Sequence, residues 1–145
     1  MNTKEFAIRR MFCSEVQFTT APAAGQNVKF RENPIFSNKD FADKVRIQGI
    51  FVYYDNVMAF SPSGQPNIAF ADVANLALTL LDMQSREIID SMPLNQFNTF
   101  VNGGFFYPLE DLAINYSNSY VRVLDVGTIA AGQSVSIAFA YKLVK

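Results

Sequence analysis

A pair of carboxylates at fixed separation is the catalytic device this chain could carry, since glycoside hydrolysis asks for two acids and no metal. The candidates are Asp55, Asp82, Asp90, Glu110, Asp111 and Asp125. Most stand beside turn signals, where Asp accepts hydrogen bonds from backbone N–H groups, and Glu110-Asp111 follows Pro108-Leu109 as a turn or helix start would. The 145 residues include no histidine. That removes the usual general base, the Ser-His-Asp triad and the ordinary zinc and non-haem iron sites together. Cys13, beside Phe12, is the only cysteine, with no disulfide partner and no base to form its thiolate, so it reads as a small apolar filler. Gly103-Gly104 lacks the third glycine and the lysine of a phosphate loop. The residue types thus predict a protein with no catalytic residues, no cofactor and no metal.

Binding chemistry is similarly thin. Lys4, Arg9 and Arg10 against Glu5 make the first ten residues mildly basic. A short arm of this kind can touch nucleic acid, but so slight a charge equally suits a solvated terminus, and the terminus is favoured. Phe105, Phe106 and Tyr107 could stack on bases or sugars; without a basic setting or a tryptophan, core or subunit contact is the better reading. The net charge of −1 gives no electrostatic case for nucleic acid or anionic membrane. No continuous apolar run follows the early charges as in a secretory signal, so synthesis in the cytoplasm is expected. The Asn115-Tyr-Ser117 sequon is then incidental. Residues 47–71 are too interrupted by Gly49, Asp55, Asn56 and two prolines to predict a membrane span.

The elements that must position these residues are short strands. Val135, Ile137, Phe139, Tyr141 and Leu143 alternate with small or polar residues, a strand with one buried face. Ser136, Ala138 and Ala140 carry so little bulk that a second layer or a neighbouring subunit could approach the other face closely. Further strands are predicted at 15–20, 27–31, 44–54, 76–82, 87–90, 105–107, 112–116 and 121–124, separated by turn signals, with 57–60 continuing the pairing of 44–54 after Asp55-Asn56. Gly49 suits a bulge in the longest of them. Residues 68–81 fit both periods: Val73, Leu76, Ala77, Leu80 and Leu81 at helical spacing behind Asp72 as a candidate cap, and Leu76, Leu78 and Leu80 at strand spacing, which is favoured. Ser37 with Asp40 resembles an N-cap for one helical turn. The whole predicts one all-β domain over residues 15–145, a sandwich of about eight antiparallel strands, preceded by a candidate arm over residues 1–14. Charged residues make up 17% against about 25% on average, which fits either surface hidden against partners or a core rich in the fourteen phenylalanines.

The segment Leu78-Thr-Leu-Leu-Asp82, continuing through Glu87-Ile-Ile-Asp-Ser-Met-Pro93-Leu94, resembles the jelly-roll capsid and vertex proteins of icosahedral bacterial viruses. The likeness runs on through Phe105 to Pro108, Asp111 to Asn115, Ser119-Tyr-Val-Arg122 and Gly132-Gln-Ser134 into the terminal strand, over residues 45–145. It implies a single eight-stranded jelly roll in the virion, a vertex (penton) or minor capsid subunit made in the host cytoplasm. Such a subunit would assemble with itself, a pentamer being one closed form, and with other capsid proteins. No catalytic residue is implied. Phe6, Ile8, Met11 and Phe12, mixed with charge ahead of the strand pattern, are the candidate subunit contacts; alternatively they cover the domain's own sheet. The rival to this role is a β-sandwich that binds a carbohydrate or receptor on a viral spike or fibre, with exposed aromatics in a groove.

Overall fold

The computed structural model describes residues 10–98 and 107–144. Eight strands alternate with short helical turns: β1 (Arg10–Gln17), β2 (Asn27–Lys29), β3 (Val45–Tyr53), β4 (Leu76–Leu81), β5 (Glu87–Pro93), β6 (Tyr107–Leu112), β7 (Tyr120–Val123) and β8 (Ser134–Leu143). They form two antiparallel four-stranded sheets, ordered β1-β8-β3-β6 and β2-β7-β4-β5. The pairing is nested: first with last, second with seventh, third with sixth, fourth with fifth. A long antiparallel ribbon rolled so that alternate pairs fall in opposite sheets has this order, and the all-β sandwich is a single jelly roll.

β8 explains why the roll closes. Val135, Ile137 and Phe139 are wholly buried between the sheets, and the strand pairs with β1 on one side and β3 on the other. Its small-residue face is covered as well, with Ser136, Ala138 and Ala140 at 0%, 1% and 6% exposure. The chain itself supplies that cover rather than leaving it to a neighbour. Cys13 and Phe51 flank Ala138 across the strands, and Asn67 of the β3–β4 connection accepts a 2.8 Å hydrogen bond from Ser136 Oγ.

The predicted bulge is present. β3 slips register against β8 between Ile47 and Gly49. Val45 and Ile47 face the core ahead of the slip and Ile50 and Val52 after it; without the extra residue Phe51 and Tyr53 would face inward instead. On sheet two, Leu76, Leu78 and Leu80 of β4 meet Val121 and Val123 of β7 in the same core. Of the two periods read in residues 68–81 the strand period is the one realised: β4 takes in Leu76, Ala77, Leu80 and Leu81, which also fit helical spacing, and a 3-10 helix at Phe70–Asn75 that buries Asp72 and Val73 leads directly into it.

Several boundaries differ from the sequence reading. β1 begins at Arg10, so residues 10–14 of the expected arm are sheet, because Phe12 stacks on Phe139 at 5.2 Å and thereby extends the alternation toward the N-terminus. Residues 57–60 form no ladder strand; Phe60 makes one isolated bridge to Pro66. Residues 113–116 alternate because Ile114 and Tyr116 drop into the core from a loop, whose Asn115 N–H finds the Leu81 carbonyl instead of a strand partner. Pro108 lies inside β6 rather than ending a strand before it. β6 is the sheet's edge, where a residue without an N–H is tolerated. Phe105 and Phe106 lie outside the described residues. A single helical turn, α1 (Lys39–Ala42), does form, but Asn38 caps it through Asp40 and Phe41 N–H groups; Ser37 bonds back to Pro34. Among the described residues, no helix is long and apolar enough to cross a membrane.

Candidate functional site

Antiparallel alternation puts the β2–β3, β4–β5 and β6–β7 connections at one end of the sandwich, together with Arg10 and Val144. These three connections enclose a cleft of about 490 Å³. Its inner wall is aromatic. Tyr116 is sandwiched between Phe36, at 4.3 Å and 10°, and Phe30, at 5.2 Å and 20°. The Tyr116 hydroxyl lies 2.8 Å from Ser14 Oγ and 3.0 Å from the Arg31 carbonyl oxygen. Burial is the main cause that pushes its phenol up to about 12, against a smaller downward pull from Ser14 and Asn33. The ring therefore stays neutral and acts as an anchor.

Local chemistry holds the outer wall. Asn33 caps the 3-10 turn Pro34–Phe36 by accepting from Ile35 N–H at 3.1 Å, and its amide donates to the Cys13 carbonyl of β1 at 3.3 Å. Asp82 fixes the β4–β5 turn: its carboxylate accepts from Gln84 and Arg86 N–H, both at 2.9 Å, and pairs with the Arg86 side chain. The Arg86 backbone hydrogen bond leads the causes that lower its pKa. That turn presents Met83, 53% exposed, at the lip of the cleft. Lys29, Lys39, Glu32 and Asp43 stand around the rim. The arrangement offers an apolar floor inside a rim of mixed charge.

A second polar cluster lies beside β1. Glu15, 5% exposed, accepts hydrogen bonds from Ser63 Oγ at 2.6 Å and Gln17 Nε2 at 3.3 Å, and pairs with Arg31 at 3.2 Å. Burial pushes this carboxyl upward, but donors from Ser63, Ser61, Gln17 and Arg31 together outweigh burial and hold it below its ordinary value. A depressed folded-state pKa means that the carboxylate's contribution to stability is fully present above its unfolded value of 4.5 and is lost as pH falls through the lower folded value. Glu15→Gln is therefore expected to flatten the acid limb: denaturant midpoints measured between about pH 5 and pH 3 should fall less steeply than in the wild type. Equal slopes would remove Glu15 from the acid response.

The same neighbourhood silences Cys13. Burial first, and the Glu15 charge second, push its thiol up to about 11, with Ser136 pulling weakly down. It is protonated at neutral pH, as expected for an apolar filler.

The carboxylates singled out in the sequence do not converge into one constellation. Asp82 holds its turn, Asp125 accepts from Gly127 N–H at 3.1 Å, and Asp111 pairs with Lys142 at 2.6 Å and Gln48 at 3.1 Å. Hydrogen bonding from Lys142, then Gln48, lowers the Asp111 pKa. Asp55, Asp90 and Glu110 are exposed. No group of three or more His, Cys, Asp or Glu able to hold a metal occurs among the described residues.

Sequence reasoning missed the two carboxylates that are buried among the described residues, Glu15 and Asp72. Asp72, which resembled a helix cap, instead accepts from Thr128 N–H at 3.0 Å, Thr128 Oγ1 at 2.5 Å and Asn75 Nδ2 at 3.2 Å. Of the candidate contact residues, Phe12 belongs to the domain's own aromatic cluster, Met11 is 47% exposed, and Phe6 and Ile8 lie outside the described residues. Comparison of the chain with protein-family models, curated proteins and solved structures finds no match.

Proposed function

We propose that this chain is a structural virion protein, a single jelly-roll capsid subunit at a vertex (penton) or minor capsid position. The nested strand order is the observation that carries this reading, because it is the architecture implied by the resemblance to jelly-roll capsid proteins. Architecture alone is compatible with many functions, so the surface matters as well. Phe60 and Phe70 expose 59% and 61% of their area on the β3–β4 connection, at the end opposite the cleft, and Val57 and Leu124 are similarly open. Apolar area of this kind becomes a driving force for assembly when symmetry repeats it around a ring. Partners are then other copies of the chain, in a closed ring such as a pentamer, and further capsid proteins; the site of action is the virion, after synthesis in the host cytoplasm.

The test is the absolute mass of the purified protein across a concentration series, by light scattering behind a sizing column. A closed oligomer, a pentamer above all, is expected. A monomer at every concentration would sink the self-assembling subunit. It would favour the second reading, a carbohydrate- or receptor-binding module of a viral spike or fibre, for which the 490 Å³ cleft is the specific observation.

A further inference from the structure

We propose that the cleft between the β2–β3, β4–β5 and β6–β7 connections binds a neutral saccharide ring, stacked on Phe36 and held by the charged side chains of the rim. The inference goes beyond the subunit reading and rests on the second one, the binding module, whose ligand class it names. The first ground is an aromatic stack with an open end. Phe30, Tyr116 and Phe36 lie ring on ring with Tyr116 in the middle. Phe12 meets Phe36 edge-on at 5.2 Å; it lies 6.3 Å from Tyr116, and Phe36 and Tyr116 are 4.3 Å apart. Those three distances put Phe12 beside the Phe36–Tyr116 pair rather than on top of it. Phe36 therefore ends the stack on the cleft wall, half-buried, with no further ring on its outer face among the described residues. The Tyr116 hydroxyl, held by Ser14 and the Arg31 carbonyl, sets the stack before any ligand arrives.

The second ground is the rim. Lys29 and Lys39 can only donate hydrogen bonds, and Glu32 and Asp43, when ionised, can only accept them. All four are exposed, and none belongs to a salt bridge among the described residues. A hydroxyl donates once and accepts twice, so it satisfies an ammonium and a carboxylate alike. A sugar ring carries such hydroxyls around its edge and C–H groups on its face, and the negative face of an aromatic ring attracts polarised C–H groups.

The third ground is what the same rim rejects. A carboxylate or phosphate would meet Glu32 and Asp43, and an ammonium would meet Lys29 and Lys39; like charges repel, so the rim selects neither sign. A wholly apolar ligand would strip water from the four charges and return no hydrogen bond. A neutral ring of hydroxyls on an apolar body meets both the floor and the rim. The volume of about 490 Å³ lies within the roughly 300–1,000 Å³ of small-molecule sites.

The experiment is saturation-transfer NMR on the full-length protein, with methyl β-glucoside and methyl β-galactoside as neutral rings, sialic acid as an anionic one and indole as a planar ring without hydroxyls, each at millimolar concentration. Transfer from the protein's aromatic protons to the ring C–H protons of a neutral glycoside is expected, with less to sialic acid. Phe36→Ala should weaken that binding by about tenfold through the lost stacking. Because Phe36 also packs on Tyr116, the double variant Glu32→Ala with Lys39→Ala provides a second measurement; both residues are exposed and outside any salt bridge, so the fold and the net charge are kept. It should weaken binding by about tenfold as well. Phe70→Ala, at the opposite end of the sandwich, should change nothing. No transfer to either glycoside would overturn the saccharide site, leaving the second reading only its receptor form. Transfer undiminished in both cleft variants would overturn it too, as would Phe36-dependent binding of indole in a protein that ignores the glycosides. The subunit reading is decided separately by the solution mass: a monomer that binds glycoside keeps the site, and an oligomer that binds none loses it.

Discussion

Replacing Phe139 with alanine is expected to destabilise the domain by about 3–5 kcal/mol, a third or more of the stability of an ordinary domain. The ring is fully buried at the centre of β8, where its backbone pairs with Phe12 of β1 and Ile50 of β3. It stacks on Phe12 at 5.2 Å and meets Phe30 edge-on at 6.0 Å, so truncation opens a cavity that touches both sheets. The surroundings cannot collapse into it without moving the strand that both neighbours depend on. Phe139→Leu keeps most of the apolar volume and should cost less. The check is urea unfolding followed by fluorescence of the tyrosines, the chain having no tryptophan. A loss below about 1 kcal/mol for the alanine variant would mean that β8 is not the centre of a tightly packed core.

Gly127→Ala is expected to cost about 3–4 kcal/mol, from two sources that a control separates. Gly127 has φ +53°, a left-handed conformation that costs any residue with a Cβ about 1–2 kcal/mol. A Cβ there would also run into Asn75 Nδ2 and Asp72 Oδ1. Those atoms cannot simply swing aside, because Asp72 is 2% exposed and receives the Thr128 amide and hydroxyl as well as the Asn75 amide. Displacing the carboxylate leaves buried donors unpaired. Gly132, at φ +88° with open space where a Cβ would stand, provides the control. Gly132→Ala should show the backbone cost alone, and the difference between the two variants reads the collision. In a double-mutant cycle, Gly127→Ala on an Asp72→Ala background should cost less than on the wild type, since one obstacle is gone. Equal losses at Gly127 and Gly132 would show that the Asp72 cluster yields freely.

Both predictions turn on contacts whose sequence signals differ in kind. Phe139 was legible, because the large apolar residues Val135, Ile137 and Phe139 recur at every second position and mark the core-facing side of the strand. Gly127 was legible only as a turn; that its missing Cβ makes room for Asp72, 55 positions earlier, was not. Asp82 and Asp125 hold turns as their neighbours suggested, whereas Glu110 and Asp111 lie within β6 instead of the turn or helix start read there, because Gly49, Ile50 and Ile47 of β3 pair with that segment, and the buried pair carried no local mark. An acid at a strand's outward position looks solvated until another loop arrives to cover it, as the loop bearing Ser61 and Ser63 covers Glu15.

By itself the sequence determined the all-β class, the inward faces of β1, β4, β7 and β8 and of the start of β3, the bulge at Gly49 and several turns, since each follows from side-chain period or backbone freedom within a few residues. The tertiary structure decided what pairs with what. It moved the start of the sheet to Arg10, turned an alternating loop at Ile114 and Tyr116 into the floor of a cleft, and set the Tyr116 hydroxyl against Ser14 across 102 positions of chain. It also covered the small-residue face of β8 with the chain's own side chains. The physical reason is that periodicity records whether a residue is buried, whereas the identity of its partner depends on the closing of the roll, which brings together residues that no local pattern relates.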